Sequence, residues 1–369
     1  MNRQYDYIII GQGIAGTVLA HTLLNEGKTV LIIDEGVEHS TSAIAAGLYN
    51  PVVFKRLVKS WMVDELIPFM DSFYTDTEQL LGQHFYHKKQ IVKLFADTAE
   101  KEFWLKKAEE DVGKYLSKTI DAHFLNELIE NPVGAAEVKS AGNLNTPVFL
   151  KASRDYFLKK NALLQERFDY GELSISEQGV SYRNSDATKL IFCEGYQAIH
   201  NPYFDWLPFK LTKGELLTVK LSEDAVIPLE KVINKGVFIL PLGGNLYKIG
   251  ATYEWEDLTA QPTERGKQEL TEKLQKVLRV PFEVTDHQAG VRPTVLDRRP
   301  LIGLHPQHMV LGIFNGMGTK GVMLAPYFAK QFSLFLHKGK PLPAEANCDR
   351  FGKGRLFDKG SPIKSFSPR

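Results

Sequence analysis

The chain has 369 residues, of which 43% are hydrophobic and 24% are charged, and its formal net charge is +1. These totals are typical of a globular protein of about two domains, and the charge gives no whole-protein field that would attract nucleic acid or a membrane. The two cysteines, Cys193 and Cys348, form no CxxC pair, which excludes a disulfide framework and a cysteine-rich metal centre and fits a reducing compartment.

A glycine-rich turn dominates the first predicted unit. The apolar run 7–10 predicts a strand, the turn 11–16 (GQGIAG) follows, residues 17–26 predict a helix, and a second apolar run, 29–33, ends on Asp34. In this context the glycines allow a tight turn, the approach of a pyrophosphate and close helix packing, and the carboxylate accepts ribose hydroxyls. We therefore expect a dinucleotide site rather than an ordinary glycine turn. Its predicted contacts are Gly11, Gly13, Ile14, Ala15, Gly16, Asp34 and Glu35.

The rest of the chain alternates between helical and strand patterns. Segment 39–54 predicts a loop with a short helix start. Helical spacing of apolar residues predicts helices over 61–74, 99–115, 153–168, 263–278 and 322–336. In the predicted helix over 99–115 the expected inward residues are Phe103 and Leu105. In the predicted helix over 153–168 they are Tyr156, Phe157, Leu163 and Leu164. Short β-type runs predict strands over 91–95, 190–193, 216–219, 237–240, 247–250 and 309–314.

No apolar run approaches the roughly 18 residues of a membrane span, and no signal-peptide pattern precedes the first predicted strand. The histidines show no metal-ligand spacing. The sequence therefore predicts a cytoplasmic protein without a metal site.

A second glycine cluster, 315–321, lies between the last predicted strand and the last predicted helix. The first glycine motif alone does not distinguish NAD from FAD. A second helix N-terminus would stabilise negative charge on a reduced flavin by about 0.3–2 kcal/mol, so the two clusters together suit one FAD held at both ends. Tight packing is the alternative reason for these glycines. The predicted contacts at this end are Gly316, Met317, Gly318, Thr319 and Lys320.

Several segments carry a resemblance to a known family: 11–16 with Asp34, 41–48, 192–195, 213–215, 290–293 and 321–326. Over nearly its whole length the chain resembles the FAD-dependent D-amino-acid oxidase superfamily, close to glycine oxidase and sarcosine oxidase. Segments 46–51, 194–197, 249–253 and 290–292, with Asp297 and Pro300, are more similar still to the FAD oxidase half of a bifunctional tRNA wobble-uridine enzyme. That half removes a carboxymethyl group from the modified base, and the enzyme's methyltransferase half has no counterpart in these residues.

The resemblance implies FAD and an α/β fold, with a discontinuous Rossmann-like FAD-binding domain plus a substrate domain built from a mixed or antiparallel sheet and helices. The interleaving of parallel-type and antiparallel-type strands along the chain predicts the same division. We expect 1–52, 146–212 and 289–369 to form the FAD-binding domain, and 53–145 and 213–288 to form the substrate domain. The resemblance adds six further FAD contacts: Thr41, Ser42, Ala46, Gly47, Leu48 and Gly195.

Arg292 is the first candidate for substrate binding. It stands in the pattern Gly290-Val291-Arg292-Pro293, whose arginine holds the substrate carboxylate in the resembling family. A planar guanidinium can do so with two parallel hydrogen bonds. A structural salt bridge is the alternative role.

Three further candidates follow from the resemblance. Lys320 falls where similar oxidases place a second basic residue, usually arginine. Lys248 lies in a Lys-Ile-Gly context like that of the oxygen-activating lysine of sarcosine oxidases, although an exposed strand lysine fits equally. Glycine oxidase has a substrate-side tyrosine near the position of Phe238, and phenylalanine lacks its hydroxyl group. Tyr253 or Tyr247 is therefore the expected source of that hydroxyl group.

The sequence thus predicts an FAD-dependent oxidase or dehydrogenase that transfers hydride to flavin N5 from a small carboxylate-bearing amine, an amino acid or an N-substituted glycine. One alternative is oxidation of carboxymethylaminomethyl-uridine in tRNA, and another is a non-catalytic flavin-binding protein. The last 20 residues hold six Lys or Arg and one Asp, a net charge of +5. They predict a solvated tail or a contact with an anionic partner. Oligomeric state and covalent flavin attachment stay open.

Overall fold

The computed structural model describes residues 2–36, 40–120, 125, 127–130, 133–222 and 226–352. The strands are β1 (Arg3–Ile10), β2 (Val30–Ile33), β3 (Leu48–Tyr49), β4 (Val52–Val53), β5 (Val58–Lys59), β6 (Tyr86–Leu94), β7 (Ala135–Leu144), β8 (Leu163–Leu164), β9 (Leu173–Ile175), β10 (Val180–Tyr182), β11 (Ser185–Phe192), β12 (Thr212–Leu221), β13 (Lys231–Lys235), β14 (Val237–Gly243), β15 (Leu246–Gly250), β16 (Phe282–Arg292), β17 (Leu301–Leu304) and β18 (Leu311–Asn315). The helices are α1 (Ile14–Asn25), α2 (Thr41–Ile44), α3 (Val63–Leu81), α4 (Thr98–Ala108), α5 (Thr146–Lys159), α6 (Glu264–Gln275) and α7 (Gly321–Lys338).

Two sequence predictions extend beyond these ranges. The predicted loop begins at His39, and residues 353–369 make up most of the predicted basic tail. His39 and residues 353–369 lie outside the described residues. Among the helices within those ranges, none combines the length and the apolar character that crossing a bilayer requires.

The first sheet has a parallel centre. Over the described ranges its order is β17-β18-β11-β1-β2-β8, with β10 and then β9 added beside β11. Strand β1 is parallel to both β2 and β11, and β11 is parallel to β18. Because successive side chains of a strand point to opposite faces, Tyr7 and Ile9 enter the core that contains α1 and α7, whereas Ile8 and Ile10 enter a second core on the other face. The continuous apolar runs of the sequence reflect burial on both faces.

The second sheet is mixed. In the described part of the chain its order is β16-β12-β15-β14-β13-β6-β7-β3. Only the β13–β6 pair is parallel. Helix α6 packs Leu270 and Leu274 against one face of this sheet. Strand β3, the first residue of β12 and the last four residues of β16 fall in segments predicted for the FAD-binding domain, and the domain boundaries themselves stay a prediction.

The predicted helix over 153–168 is wrong at both ends. Helix α5 begins at Thr146 because the Asn145 side chain accepts a hydrogen bond from the Val148 N–H and caps the first turn. The helix ends at Lys159, and Asn161 turns the chain with a φ of 55°. Leu163 and Leu164 are therefore not helical but form β8, parallel to β2.

The predicted helix over 99–115 is also divided. Helix α4 ends at Ala108, and a separate 3₁₀ turn covers Asp111–Tyr115. The inward residue of α4 is Trp104, which is fully buried and donates its indole N–H to the Ser117 carbonyl, whereas Phe103 is 42% exposed. Leu105 is half-buried. The prediction that Phe103 and Leu105 face inward is therefore wrong, because the buried residue is Trp104, which lies between them.

Candidate active site

The carboxyl ends of three parallel strands meet the N-termini of two helices. Asn315, at the end of β18, donates from Nδ2 to the carbonyl of Gly195, just beyond β11, at 2.9 Å. A Cβ built on Gly321, the first residue of α7, would lie 3.0 Å from Cγ2 of Ile14, the first residue of α1. Dinucleotides bind at this edge of parallel α/β sheets, and helix N-termini favour phosphate groups.

Gly11 and Gly16 let α1 approach β1 closely. A Cβ on Gly16 would lie 1.9 Å from the Gly11 carbonyl oxygen, and a Cβ on Gly11, where φ is +96°, would lie 2.7 Å from the Cys193 carbonyl oxygen. Gly13 is the N-cap of α1 and has no side chain with which to cap it. Gly11 and Gly16 thus occupy positions that admit no larger residue without a shift in the backbone, whereas a Cβ on Gly13 would meet only Ser42 Oγ, at 3.2 Å.

Helix α2 links this turn to the second sheet. It is only four residues long, yet it bonds to the N-terminus of α1, to the end of β16 and to β15. These bonds are Ile14 N–H to Ser42 Oγ (3.0 Å), Thr41 Oγ1 to Val291 O (2.9 Å) and Lys248 Nζ to Ile44 O (3.1 Å). Two of the predicted FAD contacts, Thr41 and Ser42, therefore lie between the glycine turn and the strand that carries Arg292.

The segment after α2 lies against the second sheet. Gly47 has a φ of +64°, and a Cβ there would lie 1.9 Å from the Leu144 carbonyl oxygen. Leu48 pairs with Asn143 in the β3–β7 ladder, and both Ala46 and Leu48 are half-buried. The structure thus brings all five predicted residues of this loop to the junction of the two sheets.

Asp34 lies at the end of β2 in a hydrogen-bonded cluster that sequence reasoning missed. Its Oδ1 accepts from Arg154 Nη1 at 2.8 Å and from the Gly36 N–H at 2.9 Å, while Oδ2 accepts from the Gln12 N–H at 2.8 Å. Arg154 also donates to Gln12 Oε1 at 2.7 Å. Burial raises the pKa of the Asp34 carboxyl, and the bonds from Gln12 and Arg154 oppose that shift. Glu35, the neighbouring candidate, is exposed.

The second glycine cluster forms a buried turn before α7. Gly316 and Gly318 have φ values of +73° and +54°, and Met317 is 4% exposed, whereas Thr319 is exposed. Thr294 Oγ1 is buried and has no hydrogen-bond partner among the described residues. It lies 3.7 Å from where a Cβ of Gly318 would stand, so an unused hydroxyl borders this turn.

Arg292, the last residue of β16, is held by backbone carbonyls. Nη1 donates to Lys213 O at 3.2 Å and to Thr252 O at 3.4 Å, and Nη2 donates to Thr252 O at 3.3 Å. A Cβ on Gly214 would lie 1.8 Å from Nη2, so this glycine makes room for the guanidinium. Over the described ranges no carboxylate pairs with Arg292. Burial lowers the pKa of the guanidinium, and no ion pair with a carboxylate of this part of the chain opposes that shift. The predicted alternative, a structural salt bridge, is therefore not what this part of the chain shows.

The two candidate lysines also lack acidic partners within the described ranges. Lys320 is the N-cap of α7 and donates from Nζ to Ser60 Oγ at 2.9 Å; burial and the nearby guanidinium groups of Arg299 and Arg298 lower its pKa. Burial also lowers the pKa of Lys248, against the attraction of Asp286. Each lysine is a cation that an anionic ligand could neutralise.

Tyr253 lies over Arg292, with the guanidinium carbon 4.6 Å from the ring centroid. Its ring stacks on Trp255 at a centroid distance of 6.3 Å, and the two side chains are 55% and 56% exposed. The candidate hydroxyl residue is thus part of an exposed aromatic pair beside the guanidinium.

Comparison with known families decides the identity of the dinucleotide. A family profile described as DAO, FAD dependent oxidoreductase, matches residues 6–333. The chain belongs to this family. It is therefore an FAD-dependent oxidoreductase, and the predicted cofactor, enzyme class and family resemblance are confirmed.

Individual relatives agree with this assignment. Glycine oxidase of Bacillus licheniformis is 24% identical over 347 residues, covering 88% of this chain and 91% of the relative. The tRNA 5-methylaminomethyl-2-thiouridine biosynthesis bifunctional protein MnmC of Legionella pneumophila (strain Lens) is 22% identical over 330 residues, covering 81% of this chain. The chain spans only 45% of that bifunctional relative. The crystal structure of iminodiacetate oxidase from Chelativorans sp. BNC1 superposes with a TM-score of 0.75 at 19% identity, covering 92% of this chain and 97% of that one, which confirms the α/β fold.

The residues of this DAO-family chain fit FAD at both ends of the crevice. At one end Asp34 Oδ2 accepts only the Gln12 N–H within the described ranges, so it keeps acceptor capacity for a ribose hydroxyl. At the other end the unpaired Thr294 hydroxyl borders the glycine turn before α7, which suits the polar edge of a flavin. Sequence reasoning missed Arg154 and Thr294, because neither stands in a motif: Arg154 meets Asp34 from 120 residues away, and Thr294 is distinguished only by its unpaired buried hydroxyl beside Gly318.

Proposed function

We propose that this FAD-dependent oxidoreductase oxidises the C–N bond of a small carboxylate-bearing amine, an amino acid or an N-substituted glycine. The observation that carries the proposal is the half-buried Arg292 guanidinium without a carboxylate partner in the described part of the chain. Two similar proteins, glycine oxidase and iminodiacetate oxidase, are named for substrates of this class, which supports the proposal.

The hydrogen bonds of Arg292 leave one edge of the guanidinium available. A guanidinium has five N–H donors. Both Nη1 donors and one Nη2 donor are directed at the carbonyls of Lys213 and Thr252. The Nε–H and the second Nη2–H remain, and this pair of parallel donors is an edge that binds a carboxylate with two hydrogen bonds.

Bound FAD supplies the two-electron acceptor for the oxidation. The chain itself contributes position and charge: Arg292 would fix the carboxylate and, through it, the adjacent α-carbon and amine. Lys320 and Lys248 would place two further positive charges at the junction of the sheets, where they stabilise negative charge that develops during the reaction. These roles need no general base from the described side chains, because a neutral amine releases hydride directly.

The test replaces Arg292 by glutamine and follows anaerobic bleaching of the flavin by amino acids and N-methyl amino acids. Loss of a hydrogen bond to a charged group corresponds to about 1.5–3 kcal/mol, or about 10- to 150-fold in apparent affinity. The exposed Arg167 provides a matched control, Arg167→Gln, which should bleach as wild type. Equal rate and affinity in Arg292→Gln and wild type would refute the carboxylate role.

We infer a second candidate in which the carboxylated amine belongs to a modified uridine in tRNA. The exposed Tyr253–Trp255 pair beside Arg292 favours it, because proteins bind unpaired RNA bases by stacking them on aromatic side chains. The similarity to MnmC supports it as well. The net charge of +1 makes it the second candidate, because RNA-binding proteins usually carry a basic surface.

Nucleoside analysis of tRNA from a deletion strain separates the two candidates. Accumulation of carboxymethylaminomethyl-uridine would support the tRNA reaction, and unchanged wobble uridines would end it. In addition, Trp255→Ala should slow oxidation of tRNA more than oxidation of a free amino acid.

A further inference from the structure

An ion pair between a buried lysine and a partly exposed aspartate lies on the reverse side of the strand that supports Arg292. Thr212 is opposite Arg292 in the β12–β16 ladder and Lys213 is opposite Val291, so the Lys213 side chain points to the other face of the sheet. Lys213 is 0% exposed, and its Nζ lies 2.5 Å from Asp257 Oδ2. A lysine so fully buried requires this partner, because an unpaired charge in the interior is strongly unfavourable.

The partner carboxylate belongs to the loop 251–263 between β15 and α6. Lys213 holds this loop twice. Its backbone N–H donates to Glu254 O at 2.8 Å and its carbonyl accepts from the Glu254 N–H at 3.0 Å, while its side chain binds Asp257 three residues further on. The loop therefore depends on one residue for both a main-chain bridge and an ion pair.

The same loop carries the groups that fix the guanidinium. The Thr252 carbonyl accepts from both Nη1 and Nη2 of Arg292, and the Tyr253 ring covers the guanidinium at 4.6 Å. The remaining acceptor is the carbonyl of Lys213 itself. Every hydrogen bond that the Arg292 guanidinium donates within the described ranges is thus accepted by Lys213 or by the loop that Lys213 holds.

A second carboxylate anchors the far end of the loop. Glu215 Oε1 accepts from Thr263 Oγ1 at 2.8 Å and Oε2 accepts from the Thr263 N–H at 2.9 Å, and its Oε2 lies 2.7 Å from His287 Nε2. Its Oε1 is 3.8 Å from Lys213 Nζ. Without Asp257, Glu215 would be the nearest carboxylate to the lysine. Among the described contacts, the 3.5 Å bond from Lys213 Nζ to Thr259 Oγ1 would then be what ties the lysine side chain to the middle of the loop.

We propose that the Lys213–Asp257 ion pair positions the loop 251–263 against Arg292 and thereby sets the affinity for the substrate carboxylate. The proposal rests on the carboxylate-binding role proposed for Arg292. Lys213 and Asp257 are positioning residues, since neither side chain lies on the face of the sheet that carries the guanidinium. Their effect reaches the substrate through the Thr252 carbonyl and the Tyr253 ring.

The experiment compares the FAD-loaded wild type with Asp257→Asn. Acetate serves as the carboxylate probe, titrated against the change in flavin absorbance. We expect the Kd for acetate, and the KM for an amino-acid substrate, to rise about 10-fold, because about one charge-assisted hydrogen bond to the guanidinium is lost. We expect kcat to change by less than about 2-fold, because the guanidinium stays in place once the carboxylate is bound.

A second readout reports the loop independently of any ligand. Segment 251–263 contains no Lys or Arg but contains Tyr253, Trp255 and Leu258, so chymotrypsin, followed by mass spectrometry, detects its release. Cleavage there should accelerate in Asp257→Asn. Glu256→Gln is the matched control, because it makes the same change of charge one residue away and should leave both readouts unchanged.

The double variant Lys213→Met with Asp257→Leu covers the case in which Asp257→Asn fails to fold, since it removes the lysine and the aspartate together and leaves Glu215 its bonds to Thr263 and His287. It should show the same loss of acetate affinity and the same accelerated cleavage. Wild-type acetate affinity or wild-type cleavage in a folded variant would overturn the proposal. Wild-type acetate affinity in Arg292→Gln would instead refute the proposed function, so the two failures are distinguishable.

Discussion

Replacing Gly214 by alanine would displace Arg292 without removing its charge. The new Cβ would lie 1.8 Å from Nη2 and 2.2 Å from Cζ, whereas ordinary contact begins at 3.4 Å. The guanidinium must therefore shift by about 1.6 Å, the difference between 3.4 and 1.8 Å. Its bonds to Thr252 O are already 3.3–3.4 Å long and cannot all survive that shift. A misplacement of about 1 Å can lower a rate about 10²-fold, and we predict a fall of that size in kcat/KM for a carboxylate-bearing amine.

Anaerobic stopped-flow reduction of the flavin measures this prediction directly. The flavin content of Gly214→Ala should stay close to wild type and its free energy of unfolding should fall by only about 1–3 kcal/mol, because the displaced atoms are the far end of a flexible side chain. Gly352→Ala is the matched control, since its new Cβ would make only ordinary contacts of 3.6–3.7 Å. Wild-type reduction kinetics in Gly214→Ala would show that the position of Arg292 does not govern substrate oxidation.

Three further predictions concern the cofactor end of the molecule and its core. Arg154→Met removes the 2.8 Å bond to Asp34 and should raise the Kd for FAD about 10-fold, seen as flavin fluorescence released on dilution; unchanged release would contradict it. Burial lowers the pKa of His21 to about 3. Below about pH 6.5 the His21 side chain takes up a proton in the unfolded chain but not in the folded protein. The free energy of unfolding is therefore undiminished above pH 6.5 and falls by about 2 kcal/mol by pH 5. Urea unfolding at pH 7.5 and 5 should show this loss in wild type and not in His21→Gln, and equal losses would refute it. Gly16→Ala places a Cβ 1.9 Å from the Gly11 carbonyl oxygen and should give protein that retains little flavin; a wild-type ratio of flavin to protein absorbance would contradict this.

Local patterns predicted the parts of the fold that depend on local geometry. The β1–α1–β2 unit follows from apolar runs and from glycines whose positions the close approach of helix and strand requires. The errors lie where a distant partner decides the outcome. Leu163 and Leu164 continue a helical pattern, yet their pairing with β2, more than 120 residues earlier in the chain, makes them a strand. The start of α5, by contrast, has a local signal, because asparagine at position 145 favours a helix N-cap.

The candidate site divides in the same way. Glycine motifs and the pattern around Arg292 identified residues that the structure gathers at the junction of the two sheets. The roles of those residues stay predictions. No local pattern points to Arg154, because its partner Asp34 is 120 residues away. No local pattern points to Asp257 either, since a loop carboxylate becomes informative only when a buried lysine is seen to face it.

The central position of β1 has a consequence for synthesis of the protein. One neighbour, β2, leaves the ribosome soon afterwards, but the other, β11, begins at Ser185, about 175 residues after the end of β1. At about 5–20 residues per second, translation of that interval takes about 10–35 seconds. Throughout it, one side of an apolar strand offers unpaired backbone groups to other nascent chains. Recombinant yield should therefore depend on translation speed and chaperone supply more than on the stability of the finished enzyme.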